Sequence, residues 1–529
     1  MSRVRWFVGV VVLLLAGAAG SGLAQAQDGP PKPDMYRPRY HFTPTRNWMN
    51  DPNGLVWYKG QYNLFFQYNP YGDLWGHMNW GHAVSRDLVH WHLLPVAIPE
   101  TDVMAFSGSA VVDWHDTSGL GKSGQPPLVA LYTGFNPKTK IQAQYLAYSN
   151  DGGLAWTRYG DKPVLDIGST EFRDPKVFWY APGHHWVMAV VRATANQVAI
   201  YDSPNLIDWT LASVFGPAGA RAREWECPDL YPMPVVGHPG ETRWVLAVNL
   251  SNGAPAGSGA QYFVGSFDGK RFVPDPSWGS APRWIDKGAD FYASSTWNDI
   301  PASDGRRLLI GWADGHAYSQ AIPGYPERGA MSLPRVLTLH RGADGFRLWQ
   351  APVRELQSLR ADPRTASKLT LDGTPLDLSR WVTDGRSAEL ELDIDTGHAR
   401  QILFTITDAK GYVTQIGANP AVNEIFVDRD RSGPHFSDAF GGRQVARVDM
   451  HDRHLRLHLF VDRSIIEVFA DGGRTVMTER FFPGSEQLRW SASARGGKAT
   501  VLHLRVWRMK AYRRHGLGDG EPEAAATTH

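Results

Sequence analysis

Short apolar runs separated by turn residues recur along the first two thirds of the chain and predict β-strands. The recurring unit is a polar or acidic turn, an apolar strand, a Gly or Pro turn and a second apolar strand. Its five copies, spaced by roughly 55 to 67 residues, begin at Asp51, Ser107, Asp174, Pro228 and Tyr292. Each interval accommodates one four-stranded sheet, so the pattern predicts a five-bladed β-propeller.

The predicted propeller covers residues 38–350, and a polar stretch over 351–366 is interpreted as a linker. The repeat is longer than that of common propeller repeats, so a β-sandwich assembly is an alternative for this region.

A different pattern occupies residues 367–510. Apolar and polar residues alternate strictly in the segments 388–395, 454–459 and 502–506. Alternation with a period of two places one face of a strand in a core and the other in water, as in an antiparallel sandwich. We therefore predict a C-terminal β-sandwich domain, followed by a flexible tail over 511–529 that lacks apolar periodicity.

The first 26 residues have the order of a secretory signal peptide. Arg3 and Arg5 precede an uncharged apolar stretch, and small residues at Ala24 and Ala26 follow it. A single membrane anchor is the alternative because the stretch is close to spanning length, but its Gly, Ala and Ser residues favour cleavage. We expect a secreted or periplasmic protein without a stable membrane anchor.

Charge and cysteine content exclude several classes of protein. The 54 Lys and Arg residues nearly balance the 53 Asp and Glu residues, which leaves no basic surface of the kind that binds nucleic acid. The single cysteine, Cys227, excludes an intrachain disulfide and a cysteine-rich metal site. Stability must therefore come from packing, to which 21 Trp, 19 Tyr and 22 Phe residues can contribute.

Three acidic residues stand where copies of the repeat begin, namely Asp51, Asp174 and Glu226. The first strand of each propeller blade lines the central axis, so acids at equivalent positions converge at one end of it. A proline follows each acid within two residues and restricts the backbone there. The pattern predicts a pocket that contains three carboxylates.

Clustered carboxylates with Trp and Arg nearby suit glycoside hydrolysis, in which one acid protonates the leaving oxygen and another attacks the sugar carbon or activates water. A calcium site is the competing interpretation, although the motifs lack the dense acid spacing of an EF-hand loop. We expect neither a metal nor another cofactor.

These motifs resemble those of glycoside hydrolase family 32, and most of all its exo-acting levanases and exo-inulinases. The resemblance spans about residues 38–510 and begins with Trp48–Gly54, Arg173–Pro175 and Glu226–Asp229. Further matching segments are Gln67–Pro70, Trp80–Ala83, Phe106–Ala110, Asp290–Ala293, Met331–Arg335, Val461–Ser464 and Glu467–Phe469.

The resemblance implies a five-bladed propeller joined to a β-sandwich and retaining hydrolysis of β-fructofuranosides. It implies that Asp51 is the nucleophile, Glu226 the general acid and base, and Asp174 the stabiliser of the transition state. Glu226 must then hold a proton near working pH, and we expect burial beside Trp225 and a neighbouring negative charge to favour that form.

Other residues resemble the family's fructose-binding wall: Asn50, Gln67, Trp75, Phe106, Ser107, Arg173 and Trp312. Structural hydrogen bonding is the alternative role for Gln67 and Arg173. Cys227 is interpreted either as a packed small residue or as a group that tunes the adjacent Glu226.

The chain departs from the family pattern near the expected rim of the site. After Trp312 the family usually continues with Asn and Trp, but this chain has Ala313-Asp-Gly-His316, and Tyr325-Pro-Glu-Arg328 lacks the common aromatic residue before Arg. Two rings are therefore missing from the leaving-group subsites. We expect weaker stacking on long chains, and the choice among levan, inulin and sucrose stays open.

The sequence thus predicts an exported, metal-independent exo-β-fructosidase that releases fructose from a fructan or a fructose-containing oligosaccharide. A fructosyltransferase shares the same ester intermediate, and a non-catalytic carbohydrate-binding propeller would keep the rings. A related inverting glycosidase of arabinose or xylose is disfavoured by the motifs. The oligomeric state and the role of the second domain are not predicted.

Overall fold

The computed structural model describes residues 35–221, 223–324 and 326–512. The predicted signal peptide and residues 513–529 of the predicted tail lie outside these ranges. Within them nearly all regular structure is β, and the helical segments are 3₁₀ turns of three to six residues. The prediction of an all-β protein is confirmed. No helix in the described ranges has the length and apolar character needed to cross a bilayer.

Twenty-two strands build the first part of the molecule. They are β1 (Asn47–Tyr58), β2 (Gln61–Asn69), β3 (Asn79–Ser85), β4 (Trp91–Ile98), β5 (Met104–Val112), β6 (Leu128–Phe135), β7 (Gln142–Ser149), β8 (Thr157–Arg158), β9 (Phe172–Tyr180), β10 (His185–Arg192), β11 (Gln197–Ser203), β12 (Thr210–Phe215), β13 (Trp225–Pro234), β14 (Thr242–Ala254), β15 (Gly257–Phe267), β16 (Phe272–Pro274), β17 (Arg283–Trp284), β18 (Tyr292–Thr296), β19 (Arg307–Trp312), β20 (Glu327–Arg328), β21 (Arg335–Gly342) and β22 (Gly345–Pro352).

Twelve strands build the second part. They are β23 (Arg360–Leu371), β24 (Leu376–Asp377), β25 (Ser387–Asp395), β26 (Gln401–Asp408), β27 (Val413–Asn419), β28 (Glu424–Arg431), β29 (Arg443–Arg447), β30 (His454–Asp462), β31 (Ile465–Ala470), β32 (Thr475–Arg480), β33 (Leu488–Arg495) and β34 (Ala499–Met509). The 3₁₀ turns are Ala181–Gly183, Ala193–Ala195, Pro276–Trp278, Ser319–Ala321, Arg354–Leu359, Pro420–Val422, His451–Arg453 and Asp471–Gly473.

The first 22 strands form sheets of four or five strands whose neighbours are almost all antiparallel. The sheets are β4-β3-β2-β1-β20, β5-β6-β7-β8, β9-β10-β11-β12, β13-β14-β15-β16 with β17 also on β15, and β18-β19-β21-β22. The innermost strands contact one another in a closed cycle, β1 to β5, β5 to β9, β9 to β13, β13 to β18 and β18 back to β1. Radial sheets around an axis are the arrangement of a β-propeller.

One short strand joins the first sheet from a distant point in the sequence. Strand β20 pairs in parallel with the start of β1, Glu327 opposite Asn47 and Arg328 opposite Trp48. Apolar side chains fill the space between sheets, and one cluster runs from Val187 through Val245 to Leu309. The core therefore lies between the sheets, and the axis is left to the inner strands.

The second part is a sandwich of two six-stranded sheets, ordered β23-β34-β25-β30-β31-β32 and β24-β33-β26-β27-β28-β29. Leu390, Leu392 and Ile394 of β25 point into a core shared with Ile402 and Phe404 of the opposite sheet. The alternation seen in the sequence is thus the inside and outside of this sandwich.

Residues 360–366, which the sequence pattern placed in a linker, begin strand β23 and pair with β34. Their polarity has a physical reason. Strand β23 is the edge of its sheet, and most of its side chains face solvent, so it lacks the apolar alternation that marks a half-buried strand.

Buried ion pairs join the two parts. Arg335, fully buried, bonds Asp286 at 2.9 Å on the propeller side and Glu467 at 2.9 Å on the sandwich side. His41 lies 2.9 Å from Asp462 and 3.3 Å from Glu467. Removal of one partner would leave an uncompensated buried charge, which costs about 3 to 5 kcal/mol.

Candidate active site

All five inner strands carry an irregularity at the same end of the ring. Their pairing registers shift between Met49 and Pro52, between Ala105 and Gly108, between Arg173 and Lys176, between Glu226 and Asp229, and between Tyr292 and Ser295. Such bulges re-aim a side chain at the rim of a sheet. Asp174, Cys227 and Ala293 adopt positive φ angles of 65°, 43° and 49° within them, so the backbone is bent where the predicted acids stand.

The bulges bring the three predicted acids to one place. Cys227 lies between two of them: its Sγ is 3.4 Å from Oδ2 of Asp51 and 3.7 Å from Oδ2 of Asp174, and its backbone N–H donates to Asp174 at 2.9 Å. Glu226 precedes Cys227 directly. Residues that are 123 and 52 positions apart in sequence therefore share one pocket.

Asp51 is held by polar groups of the predicted wall. Ser107 Oγ donates to Asp51 Oδ2 at 2.6 Å, and Asn50 Nδ2 donates to Oδ1 at 3.0 Å. The Trp48 indole N–H fixes Asn50 at 2.8 Å. Burial raises the pKa of Asp51 above its usual value, and the Ser107 hydrogen bond offsets part of that rise.

Glu226 has cationic and hydrogen-bonding neighbours. Arg173 Nε donates to its Oε1 at 3.0 Å, the Tyr292 hydroxyl donates to its Oε2, and His316 Nε2 lies 3.8 Å from the same Oε2. Burial alone would raise the pKa of Glu226, but the charge of Arg173, with His316 and Tyr292, outweighs burial and places that pKa below its usual value.

This direction makes one expectation wrong for the unliganded site, because we expected burial beside Trp225 to favour the protonated form of Glu226. The Trp225 indole is fully buried and donates to the carbonyl of Ala220 at 3.1 Å. The guanidinium of Arg173 reaches Glu226 from the neighbouring inner strand β9, and its charge outweighs burial. Within the trio, burial and the charge of Glu226 raise the pKa of Asp174 to about 7.

Four of the five N–H donors of Arg173 bond to protein groups. Besides Glu226, it bonds Glu171 at 2.7 Å, Glu224 at 2.7 Å and Gln142 at 3.2 Å, and only 7% of its side chain is exposed. In this arrangement Arg173 sets the charge and orientation of Glu226, and its predicted contact with fructose stays a prediction.

Gln67 is likewise buried, and its Nε2 donates to the carbonyl of Ala105 at 2.9 Å. That bond ties strand β2 to the bulge of β5, the strand that carries Phe106 and Ser107. Gln67 thus supports the wall from behind.

The predicted rings divide into exposed and buried ones. Trp75 is 45% exposed and meets the edge of Phe106 with centroids 5.9 Å apart, and Phe106 stacks on Phe135 at 4.9 Å. Trp312 is only 2% exposed and packs edge-on against Trp48 at 5.8 Å. Trp75 and Phe106 offer apolar surface at the opening, whereas Trp312 supports Trp48 from below.

Residue His316, noted in the sequence only as a departure from the family pattern, faces the site. Its side chain is 43% exposed, and its ring lies edge-on to Tyr292 with centroids 4.4 Å apart. Tyr325, the other position of that departure, lies outside the described residues. An imidazole thus occupies the rim beside Glu226.

The loop that carries His316 is held from the sandwich. Arg480 of β32 donates to the carbonyl of Ala313 at 3.3 Å and lies 3.6 Å from the buried carboxylate of Asp314. Arg429 of β28 donates to the hydroxyl of Tyr318 at 2.9 Å. Burial raises the pKa of Asp314 to about 7. The second part of the molecule therefore positions one edge of the site.

Sequence reasoning missed Tyr292, Glu224 and Gln142 as members of the site. Tyr292 begins the fifth copy of the repeat, at the same phase as the three acids, so the periodicity could have identified it. Glu224 and Gln142 reach the site only through Arg173, and no local pattern marks that contact.

One group of side chains in the described ranges has the spacing of a metal site, but it lies in the sandwich. It comprises Glu389, Glu391 and His458. Arg360 already donates two hydrogen bonds to Glu389, at 2.7 and 2.6 Å. These acids are therefore ion-paired.

Comparisons with known proteins agree along almost the whole chain. The family described as "Glycosyl hydrolases family 32 N-terminal domain" matches residues 41–352, and "Glycosyl hydrolases family 32 C terminal" matches residues 355–508. A levanase of Bacillus subtilis (strain 168) is 42% identical over 92% of this chain and 72% of its own length.

Solved structures show the same likeness. The crystal structure of an exo-inulinase from Aspergillus awamori is 36% identical, with a TM-score of 0.84 over 90% of this chain and 99% of that one. A β-fructofuranosidase from Schwanniomyces occidentalis, complexed with fructosyl-erythritol, is 31% identical, with a TM-score of 0.82 over 90% and 98% of the two chains.

Proposed function

Because the chain belongs to the glycosyl hydrolases of family 32 and is a glycosidase that acts on fructans, we propose that it is a retaining, exo-acting β-fructofuranosidase. It removes terminal fructose from levan, inulin or sucrose-type β-fructosides. The observation that carries this proposal is the meeting of Asp51, Asp174 and Glu226 around Cys227 at one end of the ring of inner strands.

In the first step an oxygen of Asp51 attacks the anomeric carbon of the terminal fructose. The bond from that carbon to the leaving oxygen breaks, and the oxygen takes a proton from Glu226. A fructosyl ester on Asp51 remains. Asn50 and Ser107 each donate one hydrogen bond to Asp51 and so orient its carboxylate. Because Asp51 is already oriented, no conformational entropy is lost in positioning it when the reaction begins.

In the second step water attacks the same carbon, gives its proton to Glu226 and releases Asp51. Two displacements at one carbon retain its configuration. Asp174, fixed by the N–H of Cys227, binds sugar hydroxyls and stabilises the positive charge that develops on the ring.

The proton needed by Glu226 is shared among the three neighbouring carboxylates. Three buried carboxylates repel one another, and one proton among them relieves that repulsion. In the free site Arg173 keeps Glu226 ionised, while the pKa of Asp174 near 7 lets it hold the proton. Fructose hydroxyls that donate to Asp174 and Asp51 favour their ionised forms, so substrate binding transfers the proton to Glu226.

The remaining features fit the same proposal. The sheets over residues 38–352 are five blades, and residues 360–510 form the sandwich that braces the His316 loop. Trp75 and Phe106 line the opening, with Asn50 and Ser107 below them. Residues 1–26 direct export, and the working enzyme is secreted or periplasmic, without a membrane anchor, nucleic acid or metal.

The test compares Asp51→Ala and Glu226→Gln with the wild type and with Asp344→Asn, an exposed control. We expect Asp51→Ala to lower kcat on the order of 10⁴-fold or more and Glu226→Gln by about 10²- to 10⁴-fold. Digestion of levan and inulin should yield free fructose alone. If NMR shows that the first-formed anomer is inverted, Asp51 is not the nucleophile; full activity of Asp51→Ala rejects the site.

A further inference from the structure

A second cavity, of about 570 Å³, opens at the opposite end of the ring of inner strands. Its walls include residues 111–112, 178–180, 230–232 and 298–299. The first three are the later parts of β5, β9 and β13, the strands whose beginnings carry the active-site residues. We call this cavity the far mouth.

The far mouth is separated from the active site by buried polar groups on the axis. Lys176 Nζ lies 3.3 Å from Asp229 and donates to the carbonyl of Thr296 at 2.5 Å. Asn298 Nδ2 donates to the carbonyls of Ala110 and Val177 at 2.9 and 3.0 Å. These bonds tie the inner strands together, so a ligand in the far mouth does not reach the three carboxylates.

The clearest feature of the far mouth is a tryptophan that is both exposed and fixed. Trp114 is 52% exposed, and its indole N–H donates to Asp299 Oδ1 at 2.9 Å. The other oxygen of Asp299 accepts the backbone N–H of Val112 at 3.1 Å. An exposed ring that is already oriented loses little conformational entropy when a ligand stacks on it.

More aromatic rings line the cavity, and two polar side chains in it, Tyr231 and Arg307, can form further hydrogen bonds. Trp179 packs edge-on against Trp186 at 5.1 Å. The buried hydroxyl of Tyr231 has no hydrogen-bond partner, which is a costly state for a polar group away from water. The guanidinium of Arg307 lies over the Tyr231 ring at 5.2 Å.

The charges of the far mouth balance, since Arg307 and Asp299 carry opposite signs. A balanced pair with indole and phenol rings suits a neutral, hydroxyl-rich ligand better than an ion. Sugar rings present apolar C–H faces to indoles and hydroxyls to Tyr and Arg. The volume falls within the range of about 300 to 1,000 Å³ typical of ligand sites.

We propose that the far mouth is a second carbohydrate site, which binds an internal segment of the same β-fructan whose ends are cleaved at the three carboxylates. The proposal rests on the proposed function for the identity of the sugar. A polymer held at this site stays near the enzyme, which raises the effective concentration of its chain ends without any new contact at the active site.

Binding is measured in the cleavage-deficient Asp51→Ala protein by native electrophoresis through gels that contain inulin, levan or dextran. Saturating free fructose occupies the active site. We expect inulin or levan to retard this protein, and Trp114→Ala in the same background to weaken the apparent affinity roughly tenfold. Trp114→Phe should retain most of it. Leu154→Ala, an exposed apolar control at 63% exposure, should leave it unchanged.

The proposal is overturned if inulin and levan retard the Trp114→Ala protein as strongly as its Asp51→Ala parent. It is also overturned if dextran retards all variants as strongly as the fructans do. If gel filtration shows that Trp114→Ala converts a dimer to a monomer, and the retardation by fructan does not change, the far mouth is a protein–protein contact and the proposal is wrong.

In the otherwise wild-type enzyme, Trp114→Ala should raise KM for the polymer about tenfold and leave sucrose hydrolysis intact. The two proposals fail separately. Absence of fructose release by the wild type rejects the active-site assignment, whereas Trp114-independent binding of fructan rejects the far mouth.

Discussion

The hydroxyl of Tyr292 donates a hydrogen bond to Oε2 of Glu226, on the side of the carboxyl opposite Arg173. Both oxygens of the proposed acid are therefore engaged by donors before substrate arrives. Donors that bond to a carboxylate favour its ionised form. Tyr292 thus acts on the reaction through the protonation state of its neighbour.

Replacement of Tyr292 by Phe removes one of the contacts that lower the pKa of Glu226, so that pKa should rise. A general acid must be protonated when substrate is bound, and its ionisation in that complex sets the alkaline limb of the profile of kcat against pH. We expect this limb to move to higher pH in Tyr292→Phe. Tyr148→Phe is the control. A limb that stays in place would mean that Tyr292 does not influence the acid.

The imidazole of His316 lies at the rim of the site, beside Glu226, within a segment where the chain departs from the family pattern. We expect the initial rate to change little between sucrose and β-fructosides of three or four units, which are too short to reach the far mouth. His316→Trp should raise the rate on the longer substrates relative to sucrose by about fivefold. The control is His398→Trp, at an exposed position in the sandwich. A wild-type rate that climbs steeply from sucrose to fructosides of three or four units would contradict this prediction.

The buried pair of His41 and Asp462 predicts how stability depends on pH. Burial opposes protonation of His41, but its bonds to Asp462 and Glu467 outweigh burial and raise its pKa. Because the pKa of His41 is higher in the folded than in the unfolded protein, its protonation stabilises the fold. This stabilisation is present in full below the unfolded-state pKa of about 6.5 and is lost as the pH rises through the folded-state pKa.

The difference in Tm between the wild type and His41→Gln should therefore be largest at acidic pH and shrink toward alkaline pH. Calorimetry across that range measures it, with His398→Gln as an exposed control. A difference in Tm that is constant with pH would show that folding does not change the pKa of His41, and one that shrinks toward acidic pH would show that His41 is held neutral in the folded protein.

The thiol of Cys227 should be unreactive in the folded enzyme. Burial, together with the charges of Asp174 and Asp51, raises the pKa of Cys227 well above its usual value, and the thiolate is the reactive form. Iodoacetamide at pH 8 should leave the native protein unlabelled by mass spectrometry and label the denatured protein once. Rapid stoichiometric labelling of the native enzyme would show that the thiol is accessible.

The sequence predicted the sheets and the three acids because both follow a repeat that the chain displays locally. Asp51, Asp174 and Glu226 share one phase of that repeat, and the phase corresponds to one end of the axis. The pairing of Glu327 with Asn47 could not be predicted in this way, since two residues of strand carry no pattern.

The electrostatics of Glu226 were predicted in the wrong direction for a related reason. Its strongest partner, Arg173, lies 53 residues earlier and meets it only when the sheets that carry the two residues pack together. The roles of Arg480 and Arg429 depend on the docking of the two parts of the molecule, which no motif in either part specifies.

Behind the three carboxylates the axis holds a void of only about 20 Å³, far too small for a sugar, with Lys176 and Asn298 beyond it. The active site is therefore a dead end. Liberated fructose can escape only through the entrance by which the polymer arrived, and the shortened polymer has to withdraw first. Each cleavage releases the chain end from the active site. Successive cleavages of one polymer therefore require its new end to bind again, and the chain does not slide continuously through the site.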